Sequence, residues 1–273
     1  MQTTEENEMD MGPTFIKLGG SLITDKRREA TARPELLRTL AQEIKNALES
    51  DPEMHLLLGH GSGSFGHWEA SRYGTRHGVT TPEGWQGFAQ VSTAASRLNR
   101  IVADTFQAVG LPVLSLQPSA SALAEEGNIV TIAIKPIQHA LQAGLIPLIF
   151  GDVAFDRAWG GTILSTEDLF VHLATILHPD RILLLGNSLG VLDNQGQVIP
   201  VITPQTYADI VPFLQGSGGV DVTGAMAEKV KQMVMLVQQL PDLQIWILSG
   251  EQPGTLQQAL LHPEQTPGTL IKA

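Results

Sequence analysis

Residues His55–Tyr73 read HLLLGHGSGSFGHWEASRY, and the change of texture inside this stretch decides the fold class. His55–Gly59 is short, continuous and apolar, the pattern of a strand covered on both faces. It runs into a turn where Gly59, Gly61, Gly63 and Gly66 recur, and Trp68 to Tyr73 then reads as a helix. A strand that feeds a glycine turn and then a helix is the repeating unit of a mostly parallel α/β sheet. The amides of such a turn can converge on an anion, and the helix N-terminus adds partial positive charge. The spacing is neither that of the nucleotide P-loop nor that of the dinucleotide fingerprint. A plain glycine-rich turn has the same composition.

The same texture recurs outward in both directions. Strands are expected at Thr14–Leu18, Val113–Leu116, Ile146–Phe150, Arg181–Leu185 and Gln244–Leu248. Between them, Pro34 opens a helix with Leu36, Leu37, Leu40, Ile44 and Leu48 at helical spacing. A second helix carries Phe88, Val91, Ala95, Leu98, Val102, Phe106 and Val109, with Gly110 as its cap. A third runs from about Thr223 to Leu240. Gly190–Thr203 breaks the rhythm and predicts a hairpin around Asn194, Gln195 and Gly196. The polar, acidic residues 1–12 are expected to be a disordered tail, followed by one α/β domain over 13–273 made of two lobes that meet at a cleft.

The chain has 273 residues, 42% hydrophobic and 16% charged, which provides material for a sizeable core. Its formal net charge of −11 argues against general binding of nucleic acid or anionic membranes. Anionic ligands must then be held by a few placed cations and backbone amides. The absence of cysteine excludes disulfides, iron–sulfur clusters and thiol nucleophiles, and fits a reducing cytoplasm. No apolar run approaches the roughly 18 residues that span a bilayer. The eight histidines show no metal-ligand spacing.

Two further stretches share the character of the opening one. In Ile16-Lys17-Leu18-Gly19-Gly20-Ser21, followed by Asp25-Lys26, a strand delivers Lys17 and two glycines to one point. In Asp221-Val222-Thr223-Gly224-Ala225-Met226-Ala227-Glu228-Lys229, small residues open a helix and Lys229 reaches back from its second turn. Gly151-Asp152 and Ser165-Thr166-Glu167-Asp168 are weaker signals, because turn and cap residues look the same. His60 ends its strand and can satisfy a backbone carbonyl, whereas His67 opens the helix beside the anion turn. Three glycine-rich turns with Lys17, Lys26 and Lys229 in an acidic chain are the equipment of phosphoryl transfer, which needs positioning and charge neutralisation.

At these residues the chain resembles the amino acid kinase superfamily and, within it, the isopentenyl phosphate kinases. The matching elements are KLGGSLITDK (Lys17–Lys26), HGSGSFGH (His60–His67), LQPSA (Leu116–Ala120), GDV (Gly151–Val153) and DVTGAMAEK (Asp221–Lys229). The resemblance implies an open αβα sandwich with a mostly parallel central sheet, a homodimer, and phosphorylation of isopentenyl phosphate with ATP and Mg²⁺. The N-terminal lobe, about 13–180, would take the acceptor, and the C-terminal lobe, about 181–273, the nucleotide. It further implies that His67 bonds the acceptor phosphate while Lys17, Lys26 and Lys229 surround the transferring phosphoryl and Asp152 holds the lysines. Gly19, Gly20, Ser21, Gly63, Gly224 and Ala225 would lie along ATP, and Ser62, Gly66 and Gly151 near the acceptor. No protein side chain would ligate the metal, which rides on ATP. Phe88 and Val91 are expected to line an isoprenoid tail pocket, although the same spacing fits plain core. The chain departs from the family's pattern at Gly186-Asn187-Ser188-Leu189-Gly190, where acidic residues are lost, and at Ala225, an alanine that fosfomycin kinases share. A kinase of another small oxyanion and a non-catalytic nucleotide sensor are the alternatives.

Overall fold

The computed structural model describes residues 12–216 and 225–273, without the side chains of 67–71, 213, 215, 216 and 225. Its strands are β1 (Thr14–Leu18), β2 (Leu56–His60), β3 (Val113–Ser115), β4 (Leu123–Glu125), β5 (Asn128–Thr131), β6 (Ile146–Phe150), β7 (Asp152–Asp156), β8 (Gly160–Leu164), β9 (Arg181–Gly186), β10 (Val201–Ile202), β11 (Gln244–Ser249) and β12 (Thr269–Ile271). The helices are α1 (Gly20–Ile23), α2 (Pro34–Ser50), α3 (Gly63–Tyr73), α4 (Pro82–Val109), α5 (Lys135–Gln142), α6 (Thr166–Leu177), α7 (Tyr207–Gly216), α8 (Ala225–Gln239) and α9 (Thr255–Leu261).

The main sheet has the order β10-β12-β11-β9-β1-β2-β6-β3 and is parallel except where β12 meets β11. Its central strands β1, β2, β6 and β9 are buried on both faces, and successive residues serve different cores. Phe15, Leu57, Ile182 and Leu184 join one apolar cluster, and Ile16, Leu58, Leu183 and Leu185 join the other. Each such side chain contributes about 1.5–3 kcal/mol relative to exposure, so the continuous apolar runs find their stable place at the centre of the layers. From β1 the chain builds toward β2, and from β9 it builds the other way toward β11. The boundary between β1 and β9 is therefore a topological switch point, where crevices open beyond the strand ends.

A second sheet of order β5-β4-β7-β8 rises from the end of β6, with β7 and β8 forming an antiparallel hairpin. Asp156, buried at the hairpin end, accepts from the N–H groups of Glu126, Gly127, Ala158 and Trp159 at 2.8–3.2 Å. Burial alone would raise its pKa, but these amides hold it below the ordinary value.

The expected strands and helices are present, with differences at their ends. α3 starts at Gly63, ahead of the expected Trp68, because the glycine turn closes sooner and its last two glycines become helical. The expected hairpin at Gly190–Thr203 shrinks to one antiparallel bridge, Leu192↔Val198, since the chain then leaves to pair β10 in parallel with β12. Gly12 is not tail: a Cβ there would overlap the His178 carbonyl oxygen. The rest of that tail lies outside the described residues.

Candidate active site

Three turns meet beyond the carboxyl ends of β1, β2 and β6. The Gly19 N–H donates to Leu185 O across the switch point (2.8 Å), and the Gly61 N–H donates to Leu18 O (3.1 Å). Gly20 and Gly63 touch back to back, so that a Cβ on Gly20 would sit 2.7 Å from Gly63 Cα. Gly63 also has φ +50°, and a Cβ on it would overlap Thr24 Oγ1 and come within 2.5 Å of Gly20 O. Glycine is thus required here for the contact between the two turns, before any ligand is considered. The short α1 leaves the Gly20 and Ser21 amides at its start without intrahelical partners.

Lys17, at the end of β1, is buried and forms an ion pair with Glu167. Glu167 lies in the first turn of α6, which a reciprocal cap fixes: Ser165 N donates to Asp168 Oδ2 (2.8 Å) and Asp168 N to Ser165 Oγ (3.1 Å). Burial would raise the Glu167 pKa, yet the charges of Lys17 and Lys229 and the Lys17 hydrogen bond hold it below the ordinary value. An ionised carboxylate therefore pairs with Lys17 and feels the charge of Lys229. Lys26 stands exposed in the loop after α1.

Asp152 is not the partner of Lys17, which pairs with Glu167. It is buried and accepts from Gln117 Nε2 (3.2 Å), Ser119 N (3.3 Å) and Val153 N (2.8 Å). The α6 turn that carries Glu167 also reaches α8 and the loop of Arg76. Asp168 accepts from Gln232 Nε2 of α8 (2.9 Å) and pairs with Arg76 (3.9 Å). Among the described residues no three His, Cys, Asp or Glu side chains group to hold a metal ion. No helix among them is long and apolar enough to cross a membrane.

A cavity of about 530 Å³ opens beside this cluster. Gly61, Ser62, Gly66, Gly151, Thr166 and Glu167 line one part of its wall, and Val91, Ala95, Ile163 and Leu164 supply its apolar part. The acceptor-side residues expected from the sequence, Ser62, Gly66, Gly151 and Val91, share this wall. Phe88 does not: it packs with Val79, Val91 and Val153 and against Trp85 and Phe155. One turn apart on α4, Val91 meets this cavity beside Ile163 and Leu164 of β8, while Phe88 meets Val153 and Phe155 of β7. Arg76 and His77 also line the cavity and were not singled out in the sequence, being an ordinary pair of polar residues in a loop. His67 lies within α3. Its side chain, and Asp221 to Gly224, lie outside the described residues, and Ala225 is described only as the first residue of α8. The altered Gly186–Gly190 turn contacts the first turn directly, through Asn187 Nδ2 donating to Ser21 O (3.2 Å).

The amino acid kinase family profile matches residues 13–249. The chain belongs to the amino acid kinase family. It is 34% identical over 227 residues to an isopentenyl phosphate kinase of Methanocaldococcus jannaschii, covering 80% of this chain and 85% of the relative. It is 32% identical over 267 residues to an isopentenyl phosphate kinase of Methanothermobacter thermautotrophicus, covering 94% and 98%. Among solved structures, one of an isopentenyl phosphate kinase superposes with a TM-score of 0.79 at 30% identity, over 94% of this chain and 99% of that one.

Proposed function

We propose that this member of the amino acid kinase family is an ATP-dependent phosphotransferase that converts isopentenyl phosphate to isopentenyl diphosphate. The observation that carries the reading is the cavity. One side offers glycine-turn amides next to the Lys17–Glu167–Lys229 cluster, and the other offers the aliphatic wall of Val91, Ala95, Ile163 and Leu164. That division suits an amphipathic phosphate monoester.

The acceptor phosphate has a second pKa near 6, so at neutral pH its oxygen is largely ionised and needs no general base. That oxygen attacks the terminal phosphorus of ATP, a new P–O bond forms, and the bond to the ADP oxygen breaks. Lys17 and Lys229, aligned by Glu167, offset the negative charge on the transferring group, and His67 bonds the acceptor phosphate. The amides at the start of α1 and α3 face the nucleotide phosphates. Mg²⁺ would arrive on the nucleotide, since Glu167 and Asp168 are already engaged by lysine, serine and glutamine. When bound, it supplies charge neutralisation between the two anionic substrates. The residues from about 13 to 180 form the acceptor lobe, and those from about 181 to 273 the nucleotide lobe. The edge strand β3 leaves Leu114 exposed, a surface that a second copy would cover in a homodimer.

Arg76 and His77 favour a second reading. These polar side chains in the cavity lining exceed what an isoprenoid tail needs, and suit a more polar oxyanion such as a fosfomycin-like phosphonate. Competition under saturating Mg²⁺·ATP separates the two: isopentenyl phosphate consumed in preference to fosfomycin supports the first reading, and the reverse order the second.

A further inference from the structure

His60 is a buried imidazole directly beneath the anion turn, and the phosphoryl-transfer scheme gives it no part. Its ring stacks on Phe150 of the neighbouring strand, with centroids 5.5 Å apart and planes 5° from parallel. Nδ1 lies 3.1 Å from Gly61 O, and Nε2 lies 3.2 Å from the side-chain amide of Asn99 on α4. The other end of that amide bonds Ser115 Oγ on β3. The backbone carbonyl of His60 is also spoken for, accepting from Thr166 Oγ1 (2.6 Å) and Gly151 N (3.1 Å).

Burial pushes the His60 pKa down against its two hydrogen bonds, and the nearby Lys17 charge adds to this, which favours the neutral ring with one N–H. A carbonyl oxygen can only accept, so the contact to Gly61 requires that N–H on Nδ1. Nε2 is then an acceptor, satisfied by the Asn99 amide turned with its NH₂ toward the ring and its oxygen toward the Ser115 hydroxyl. The result is a directed chain, Ser115 to Asn99 to His60 to Gly61.

We propose that His60 is a positioning residue that aims the Ser62 amide at the acceptor phosphate. In a trans peptide the C=O and the following N–H point in opposite directions. With the Gly61 carbonyl held toward the His60 ring, the Ser62 N–H is turned away from it, on the side where Gly61 and Ser62 line the cavity. Among the described residues no protein group accepts from that N–H. Free rotation of a glycine-flanked peptide would otherwise scatter the donor over many orientations, and fixing it in advance removes that ordering cost from binding. Because Asn99 sits two turns from Val91 on α4, the same chain ties the helix that lines the apolar wall to the anion turn. The inference rests on the reading of this cavity as the acceptor site.

Two substitutions in the full-length chain separate the contacts. His60→Asn keeps an amide donor near the Nδ1 position, and His60→Gln moves the amide out to the Nε2 position, leaving Gly61 O without its donor. Both lose the ring and its stacking, so both lower the melting temperature. Calorimetric titration should show isopentenyl phosphate binding about tenfold weaker in His60→Gln but within about threefold of the parent in His60→Asn. KM for the acceptor should rise by more than kcat falls. Equal losses in both variants, or none in either, overturn the proposal. If His60→Gln does not fold, Asn99→Ala serves, with an expected threefold weakening; unchanged affinity there counts against it. The ring tautomer is read directly from long-range ¹H–¹⁵N spectra, where a protonated Nε2 contradicts the scheme. Titration with inorganic phosphate runs alongside. The same order of variants with phosphate, but no binding of isopentenyl phosphate by the parent, upholds His60 as the positioning residue and refutes only the choice of acceptor.

Discussion

Replacing Glu167 by glutamine tests the organisation of the site through stability and turnover together. The side chains of Lys17 and Glu167 are only 9% and 15% exposed, so the pair is largely out of water. Breaking a buried pair from one side costs about 3–5 kcal/mol, because the remaining charge is left uncompensated. Glutamine keeps one hydrogen-bond acceptor for Lys17, which places the expected loss near the lower end, about 3 kcal/mol. For a chain of this size that is roughly 6–12 °C in melting temperature. The pH dependence has a definite sign. Glu167 is held below its ordinary value of 4.5, so its ionised form stabilises the fold above that pH, and the contribution is lost as pH falls below 4.5. Glutamine does not titrate. The gap between parent and variant in urea denaturation should therefore be full at pH 7 and close as pH drops below 4.5. Turnover at pH 7 should fall at least a hundredfold, because Lys17 and Lys229 lose the charge that aligns them. A loss under 0.5 kcal/mol, or a gap that stays constant into the acid range, would refute the reasoning.

Other perturbations probe the remaining parts. Gly63→Ala should abolish turnover and cost several kcal/mol, since its Cβ would overlap Thr24 Oγ1, while Gly74→Ala, also at positive φ but facing open space, should cost only about 1–2 kcal/mol. Thermal denaturation of the two side by side checks this. Asp156→Asn should destabilise the protein by about 2–3 kcal/mol, with kcat unchanged in the folded fraction, because four backbone amides lose a charged acceptor that does not line the cavity. Ala95→Leu should raise KM for isopentenyl phosphate about tenfold or more by filling the apolar wall, with a smaller effect on phosphate acceptors that lack a tail. His67→Ala should cut turnover severely with little change in melting temperature, and near-normal activity in that variant would remove His67 from the scheme.

The parts of the fold legible in the sequence are those whose burial leaves a continuous signature. β6 and the runs Ile182–Leu185 of β9 and Ile245–Leu248 of β11 are continuously apolar because both faces are covered, and glycine marks their exits. The β4–β5 and β7–β8 pairs are not legible in this way. They lie in a smaller sheet, alternate with polar residues and leave Phe155 and Val130 exposed, so no buried run announces them. In the site, turn chemistry points to Lys17, whereas Ser62, Gly66 and Gly151 come from the family resemblance. Glu167 could be seen only as part of a helix start, since its contact with Lys17 spans 150 residues. Asp152 has the right type and neighbourhood for a lysine partner, but the Gln117–Ser119 turn reaches its carboxylate. Val91 and Phe88 lie on one face of one helix, and helical spacing alone does not tell which of them meets the cavity.

The most direct test of the central claim is turnover with Mg²⁺·ATP on isopentenyl phosphate, with dimethylallyl phosphate, fosfomycin and glutamate in parallel. ADP release is expected with the isoprenoid phosphates at a kcat/KM at least about a hundredfold above that for fosfomycin or glutamate. ATP binding without turnover on either isoprenoid phosphate would contradict that claim.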